Sequence, residues 1–234
     1  MRVPTRAVGT AKMGVESEFD AKADEYESNR LGSWYKAQGR LVLDETDRVT
    51  GTVLDVGCGT GWLLRELIAR HPEAAGLGVD LSERMIEVAR ARAVDEQAPR
   101  LEFIHGDWEA EATRRSALER LHGGASLVVC VSAFHYFERP KAALVEMRKV
   151  LAPGGRLLLM ERAMDRSPAT AIWDFLHRRL IRDNARFYLT SQLMDLLREA
   201  GFTNVTVARR VRRLLWRGKL HTSLVLLSAE VTEH

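Results

Sequence analysis

The sequence predicts an α/β protein built on a doubly wound, mostly parallel sheet with helices on both faces. Three observations carry that expectation. Short apolar runs of strand length alternate with segments of helical period along most of the chain. A glycine-rich turn joins the first such strand to its helix. Acids, Asp80 and Asp107, end the next two strands. In sheets of this kind ligands bind beyond the carboxyl ends of the strands, where the strand order reverses.

The first strand is Val53-Leu54-Asp55-Val56, followed by Gly57-Cys58-Gly59-Thr60-Gly61. Glycines alternate there, at positions where a side chain would block a ligand or forbid positive φ. From Trp62 the period turns helical, with Leu63, Leu64, Leu67 and Ile68 on one side, so the turn lies at a helix N-terminus with free N–H groups. A second strand, Leu77-Gly78-Val79-Asp80, leads through Leu81 to Ser82, a cap for the helix of Met85, Ile86, Val88 and Ala89. The third strand starts at Leu101 and ends in Asp107, with Trp108 after it, and the fourth is Ser126 to Val131, then Ser132 to Phe137. Thr190-Ser191 caps a further helix that ends before Gly201, and Thr203–Arg210 with His221–Glu230 suit a closing strand pair.

The glycine spacing narrows the ligand. In a dinucleotide fingerprint the third glycine would fall where Trp62 stands, and a phosphate-binding loop would need Lys and then Ser or Thr where Trp62 and Leu63 stand. Leu54 to Gly61 instead resembles the first motif of the class I S-adenosylmethionine-dependent methyltransferases, and the later segments follow that family in register. Within it the chain is similar to the ubiquinone and menaquinone biosynthesis type and to the natural-product enzymes like them, and Met147 to Leu159, through Pro153-Gly154-Gly155, looks like that family's helix, turn and fifth strand. The resemblance implies a Rossmann-like, mostly parallel seven-stranded sheet with an antiparallel last strand.

It also implies roles. S-adenosylmethionine would lie against Asp55, Gly57, Cys58, Gly59 and Gly61. Asp80 would accept the ribose hydroxyls, with Leu81 beside it and Met85 flanking the adenine. Asp107 would accept from the adenine amine, with Gly106, Trp108 and Val131 nearby. S-adenosylhomocysteine would be the product, and no metal is implied. Cys58 is a small filler between glycines, not a nucleophile, because no histidine pairs with it at a recognisable spacing.

Length and composition suit one enzyme domain: 234 residues, 46% apolar, two cysteines and a net charge of +3. Such a chain can bury a core without disulfides, and the unmatched cysteines suit the cytoplasm. No apolar run reaches the length of a membrane span. Residues 1–15 carry Arg2, Arg6 and Lys12 without the apolar run of a secretory signal, and are expected to form a flexible tail. The rest is expected to be a single domain over residues 16–234, a monomer or homodimer.

Acceptor recognition is expected outside the cofactor scaffold. Cap helices over residues 16–48 bring Tyr26, Trp34 and Tyr35, and a lid-like insertion over residues 163–189 brings Trp173 and Tyr188. His135 and Tyr136, after the fourth strand, face the donor in related enzymes. His135 is the first candidate for a general base and Glu161 the second; packing and a salt bridge are the alternatives for them. The basic run Arg209, Arg210, Arg212, Arg213, Arg217 and Lys219 is the sole support for an RNA substrate, and a net charge of +3 argues against nucleic acid. The expected function is therefore methyl transfer to O, N or C of a small-molecule acceptor. The alternatives are an RNA methyltransferase and a cofactor-binding relative without methyl transfer.

Overall fold

The computed structural model describes residues 10–163, 186, 188–211, 214–216, 219–221 and 223–232. Two helices open it, α1 (Thr10–Asp20) and α2 (Arg30–Leu43). Then follow β1 (Gly51–Val56), α3 (Trp62–Arg70), β2 (Ala74–Asp80), α4 (Glu83–Asp95), β3 (Leu101–His105), α5 (Glu111–Leu121), β4 (Ala125–Val131), α6 (Pro140–Lys149) and β5 (Leu151–Ala163). The chain closes with α7 (Thr190–Glu199), β6 (Thr203–Val211), a short hairpin of β7 (Leu214–Trp216) and β8 (Lys219–His221), and β9 (Ser223–Glu230).

Seven strands form one sheet in the order β3-β2-β1-β4-β5-β9-β6. β1 to β5 pair in parallel, and β9 runs antiparallel to both of its neighbours. This is the architecture expected from the sequence. Side chains alternate across the pleat, so Leu157 and Leu159 of β5 join one apolar layer while Leu158 and Met160 join the other. The first layer is completed by α5, α6 and α7, through residues such as Leu121, Leu144 and Leu193. The second is completed by α2, α3 and α4, through Val42, Leu64 and Ile86. Strand order reverses between β1 and β4, so the carboxyl ends of those two strands open the crevice where the glycine turn lies.

Local chemistry sets the helix starts. Ser82 caps α4 by accepting from the N–H of Met85, and Pro140 opens α6, where its missing N–H has no intrahelical partner to lose. At α7 the expected cap is displaced by one residue: Leu189 is the capping position and Thr190 the first helical residue. Gln192 completes that end by accepting from the N–H of Leu189. Gly201 follows with φ of 90°, as a helix terminator should.

Two boundaries differ further. The flexible tail expected over residues 1–15 gives way to helix from Thr10, because Lys12 meets two carboxylates and Val15 and Phe19 settle over the crevice. The closing strand begins at Ser223, since His221 belongs to the β7–β8 hairpin. The lid-like insertion, Trp173 included, falls almost wholly outside the described residues. Among the described residues, no helix is long and apolar enough to cross a membrane.

Candidate active site

The cradle begins in the backbone of the glycine turn. The N–H groups of Gly57 and Cys58 both donate to the carbonyl of Val79, binding the turn to the end of β2. Gly57 has φ of 81°, and a Cβ there would stand 2.3 Å from that of Ala133. Gly59 has φ of 54°, with only the Tyr26 ring, 3.8 Å from an added Cβ, in front of it. Glycine at 57 therefore admits the neighbouring strand end, and glycine at 59 leaves bare backbone to a ligand.

A cavity opens above this turn, with a second, smaller one beside it, and Gly57, Gly59, Tyr26, Tyr35 and Val131 border both. Asp80, Leu81, Gly106, Asp107, Trp108 and Tyr136 line the main cavity. Asp55, Cys58, Lys36 and Trp62 line the smaller one. The roof is aromatic: Tyr26 stacks on Tyr35 at 5.3 Å, and Phe19 meets Tyr26 and Tyr136 edge-on at 6.3 and 5.8 Å. Burial holds the phenols of Tyr26 and Tyr35 above their usual range, so both stay protonated and able to donate.

The carboxylates differ in surroundings. Asp80 accepts from the N–H of Gly59 at 2.8 Å and of Ser82 at 2.9 Å, which fixes its orientation at the cavity wall. Burial raises its pKa, and these two N–H groups work in the opposite direction. Asp55 is only 2% exposed, and burial, aided by the charge of Asp80, pushes its carboxyl up to about 8. Asp107 holds the N–H of Glu109 through one oxygen and the Lys12 ammonium through the other, at 2.8 and 2.5 Å. Lys12 also reaches Glu109 at 2.6 Å. Burial works against the charge of Lys12, but the two carboxylates outweigh it and hold the ammonium above its ordinary value.

Sequence reasoning did not find the groups that fasten the cap to this scaffold. Glu27 accepts from the Thr60 hydroxyl at 2.8 Å and from Arg65 Nη2 at 2.9 Å, while Arg65 Nη1 donates to the carbonyl of Thr60 at 2.6 Å. Asp20, at the end of α1, accepts from the Ser82 hydroxyl at 2.5 Å. The pairs that tie the cap to the scaffold, Glu27 with Thr60 and Arg65 and Asp20 with Ser82, join residues 33 to 62 positions apart and leave no local pattern. A local signal is that the acids Asp20 and Glu27 stand among the cap aromatics.

The expected site residues divide. Asp55, Gly57, Cys58, Gly59, Asp80, Leu81, Gly106, Asp107, Trp108, Val131, Tyr26, Tyr35 and Tyr136 border the two cavities. Gly61 does not: with φ of 73° it starts α3, and the Phe103 ring stands where its Cβ would go. Met85 is 1% exposed beneath the first turn of α4, so its side chain is spent on packing. Trp34 belongs to the apolar layer under α2, and Tyr188 packs on Phe134 at 5.6 Å beside Ala163.

His135 and Glu161 also lie off both cavity walls. They face each other in the interior, with His135 Nδ1 at 2.9 and 3.0 Å from the two carboxylate oxygens and the His135 N–H donating at 3.2 Å. Tyr136 stands between this pair and the cavity, its ring 4.1 Å from the imidazole.

Residues 53–155 match the methyltransferase domain family. Among curated proteins the chain is 33% identical over 154 residues to the malonyl-acyl-carrier-protein O-methyltransferase of Halalkalibacterium halodurans, covering 63% of this chain and 54% of that one. It is 35% identical over 130 residues to the demethylmenaquinone methyltransferase of Deinococcus radiodurans, covering 55% of this chain and 48% of that one. The chain thus spans about half the length of these two relatives. Among solved structures the cyclase SpnF superposes with a TM-score of 0.71 over 100% of both chains at 16% identity, a likeness of fold. The resemblance carried by the motifs is therefore found again in the comparisons.

Proposed function

We propose that this chain, which carries a methyltransferase domain over residues 53–155, moves a methyl group from S-adenosylmethionine to O, N or C of a small-molecule acceptor, leaving S-adenosylhomocysteine. The observation that carries the reading is Asp80, a half-buried carboxylate locked by two N–H groups at the cavity wall, one strand away from Asp107. Two acids at successive strand ends suit the two hydroxyls of a ribose and the amine of a purine. The bare backbone of Gly57 and Gly59 leaves room for the amino-acid end beside Asp55.

The donor supplies a sulfonium-activated methyl, so the protein's own share is alignment, exclusion of water and, for a neutral acceptor, removal of a proton. The aromatic roof of Phe19, Tyr26 and Tyr35 closes the cavity from water. His135 and Glu161 act as positioning residues in this reading: the pair locks the turn that carries Ser132 and Tyr136 into the wall. Both curated relatives are named as methyltransferases of small or carrier-bound acceptors, which supports the same class here. An RNA acceptor has less support, since Arg209 of the basic run is engaged by Asp44 and Glu45.

A cofactor-binding protein that performs another reaction is the second reading, and the SpnF likeness over the whole chain favours keeping it in the test. Calorimetry with S-adenosylhomocysteine is expected to give saturable heat that Asp80→Ala abolishes. Incubation with S-adenosylmethionine and fractionated metabolites is expected to yield a product heavier by one methyl. Binding without any methylated product would favour the second reading, and absence of binding would overturn both.

A further inference from the structure

Two buried donors near the carboxyl end of β5, one on that strand and one on α2, have no acceptor among the described residues. Gln38 is 1% exposed and its Nε2 is unpartnered, as is the buried Nε of Arg162. Folded proteins pair nine-tenths or more of such atoms, and a guanidinium nitrogen left dry and unpaired is among the costlier exceptions.

The two belong to one neighbourhood. α2 runs antiparallel over β5: Arg156 Nη2 donates to the carbonyl of Glu45 just past the end of the helix, at 2.9 Å. Further along, Ser132 donates its hydroxyl to Gln38 Oε1 at 2.7 Å and its N–H to the carbonyl of Met160 at 2.9 Å. Strand alternation puts Arg162 on the same face as Met160, two residues on, toward the earlier turn of α2 that carries Tyr35. The Arg162 charge accordingly opposes the upward push of burial on the Tyr35 phenol. Ser132 and Tyr35 are wall residues of the main cavity. Ser132 has φ of 53°, in the left-handed region that a non-glycine residue enters only when its surroundings hold it there.

We propose that Arg162 and Gln38 form the anchor for a carboxylate on the acceptor, reached past Tyr35 and Ser132. A carboxylate offers the oxygens that a guanidinium edge and an amide N–H lack here, and charge-assisted bonds in a dry site are the strong ones. In the methyl-transfer reading the donor's own carboxylate would take a different place, the smaller cavity lined by Lys36, whose ammonium also meets Glu27 at 3.3 Å. This anchor deepens the methyl-transfer reading and rests on it, since it gives that acceptor a chemical class.

The test uses the protein saturated with S-adenosylhomocysteine, with saturation-transfer NMR and calorimetry on malonate, succinate and benzoate against malonamide, succinamide and benzamide at equal ionic strength. The carboxylates are expected to bind and the amides to bind at least about tenfold more weakly. Arg162→Gln is expected to remove that preference with S-adenosylhomocysteine affinity unchanged. Gln38→Glu keeps an acceptor for Ser132, sets a negative charge against the ligand, and is expected to weaken carboxylates alone. Equal binding of acids and amides, or carboxylate binding untouched by both variants, overturns the anchor. Loss of S-adenosylhomocysteine binding in Arg162→Gln would also overturn it, by giving the arginine to the donor. Failure of the wild type to bind S-adenosylhomocysteine at all would instead overturn the methyl-transfer reading beneath it.

Discussion

Asp55 lies under the glycine turn as a carboxyl pushed up to about 8 by burial and by Asp80, against about 3.9 in an unfolded chain. Between those values the folded protein keeps a proton that the unfolded chain has lost, so stability falls as pH rises from about 4 to about 8. Asp55→Asn removes that penalty. Its melting temperature without ligand is expected to exceed that of the wild type by a margin that widens from pH 5 to pH 8, and a constant margin would refute the assignment. An ammonium group seated beside Asp55 would draw out the same proton. Donor binding at pH 7 is then expected to release protons, visible as a dependence of the calorimetric heat on the ionisation enthalpy of the buffer.

Elements meet the site through a few ion pairs. α1 is tied across the cavity by Lys12 on Asp107 and Glu109, so in the proposed reading an adenine amine would compete with the lysine for one carboxylate. Lys12→Met is expected to speed donor association in stopped-flow fluorescence, and an unchanged rate would show that the contact is no barrier. Glu27 holds Arg65, which is buried to 6% exposure, against the glycine turn. Removing one partner of a buried pair strands the other. Glu27→Gln is expected to cost about 1–3 kcal/mol in urea unfolding, less than a full loss because Glu96 still pairs with Arg65. The β4–α6 turn is held by His135 on Glu161. His135→Asn is expected to raise KM more than it lowers kcat, without moving the pH profile; a lost acidic limb would make the imidazole a base after all.

Across the whole molecule, what was legible in the sequence was what local chemistry encodes. Gly57 and Gly59 are demanded by positive φ and close approach, Ser82 by a helix start, and Asp80 by the end of a buried strand. The seven-stranded sheet with its antiparallel last strand was implied by the family resemblance that these motifs carry. The rest is made by partners far apart in the chain: Lys12 and Asp107 are 95 positions apart, Gln38 and Ser132 are 94 apart, and no period links them. His135 read as a base from its place after the fourth strand, because nothing local shows that Glu161, 26 residues on, turns it inward. In the proposed reading Asp80 and Asp107 grip the sugar and base of one adenosyl ligand. Titration calorimetry with S-adenosylhomocysteine on wild type, Asp80→Ala and Asp107→Ala tests it most directly. One-to-one binding that Asp80→Ala abolishes and Asp107→Ala weakens by about tenfold is the expected result, and wild-type affinity in both variants would contradict it.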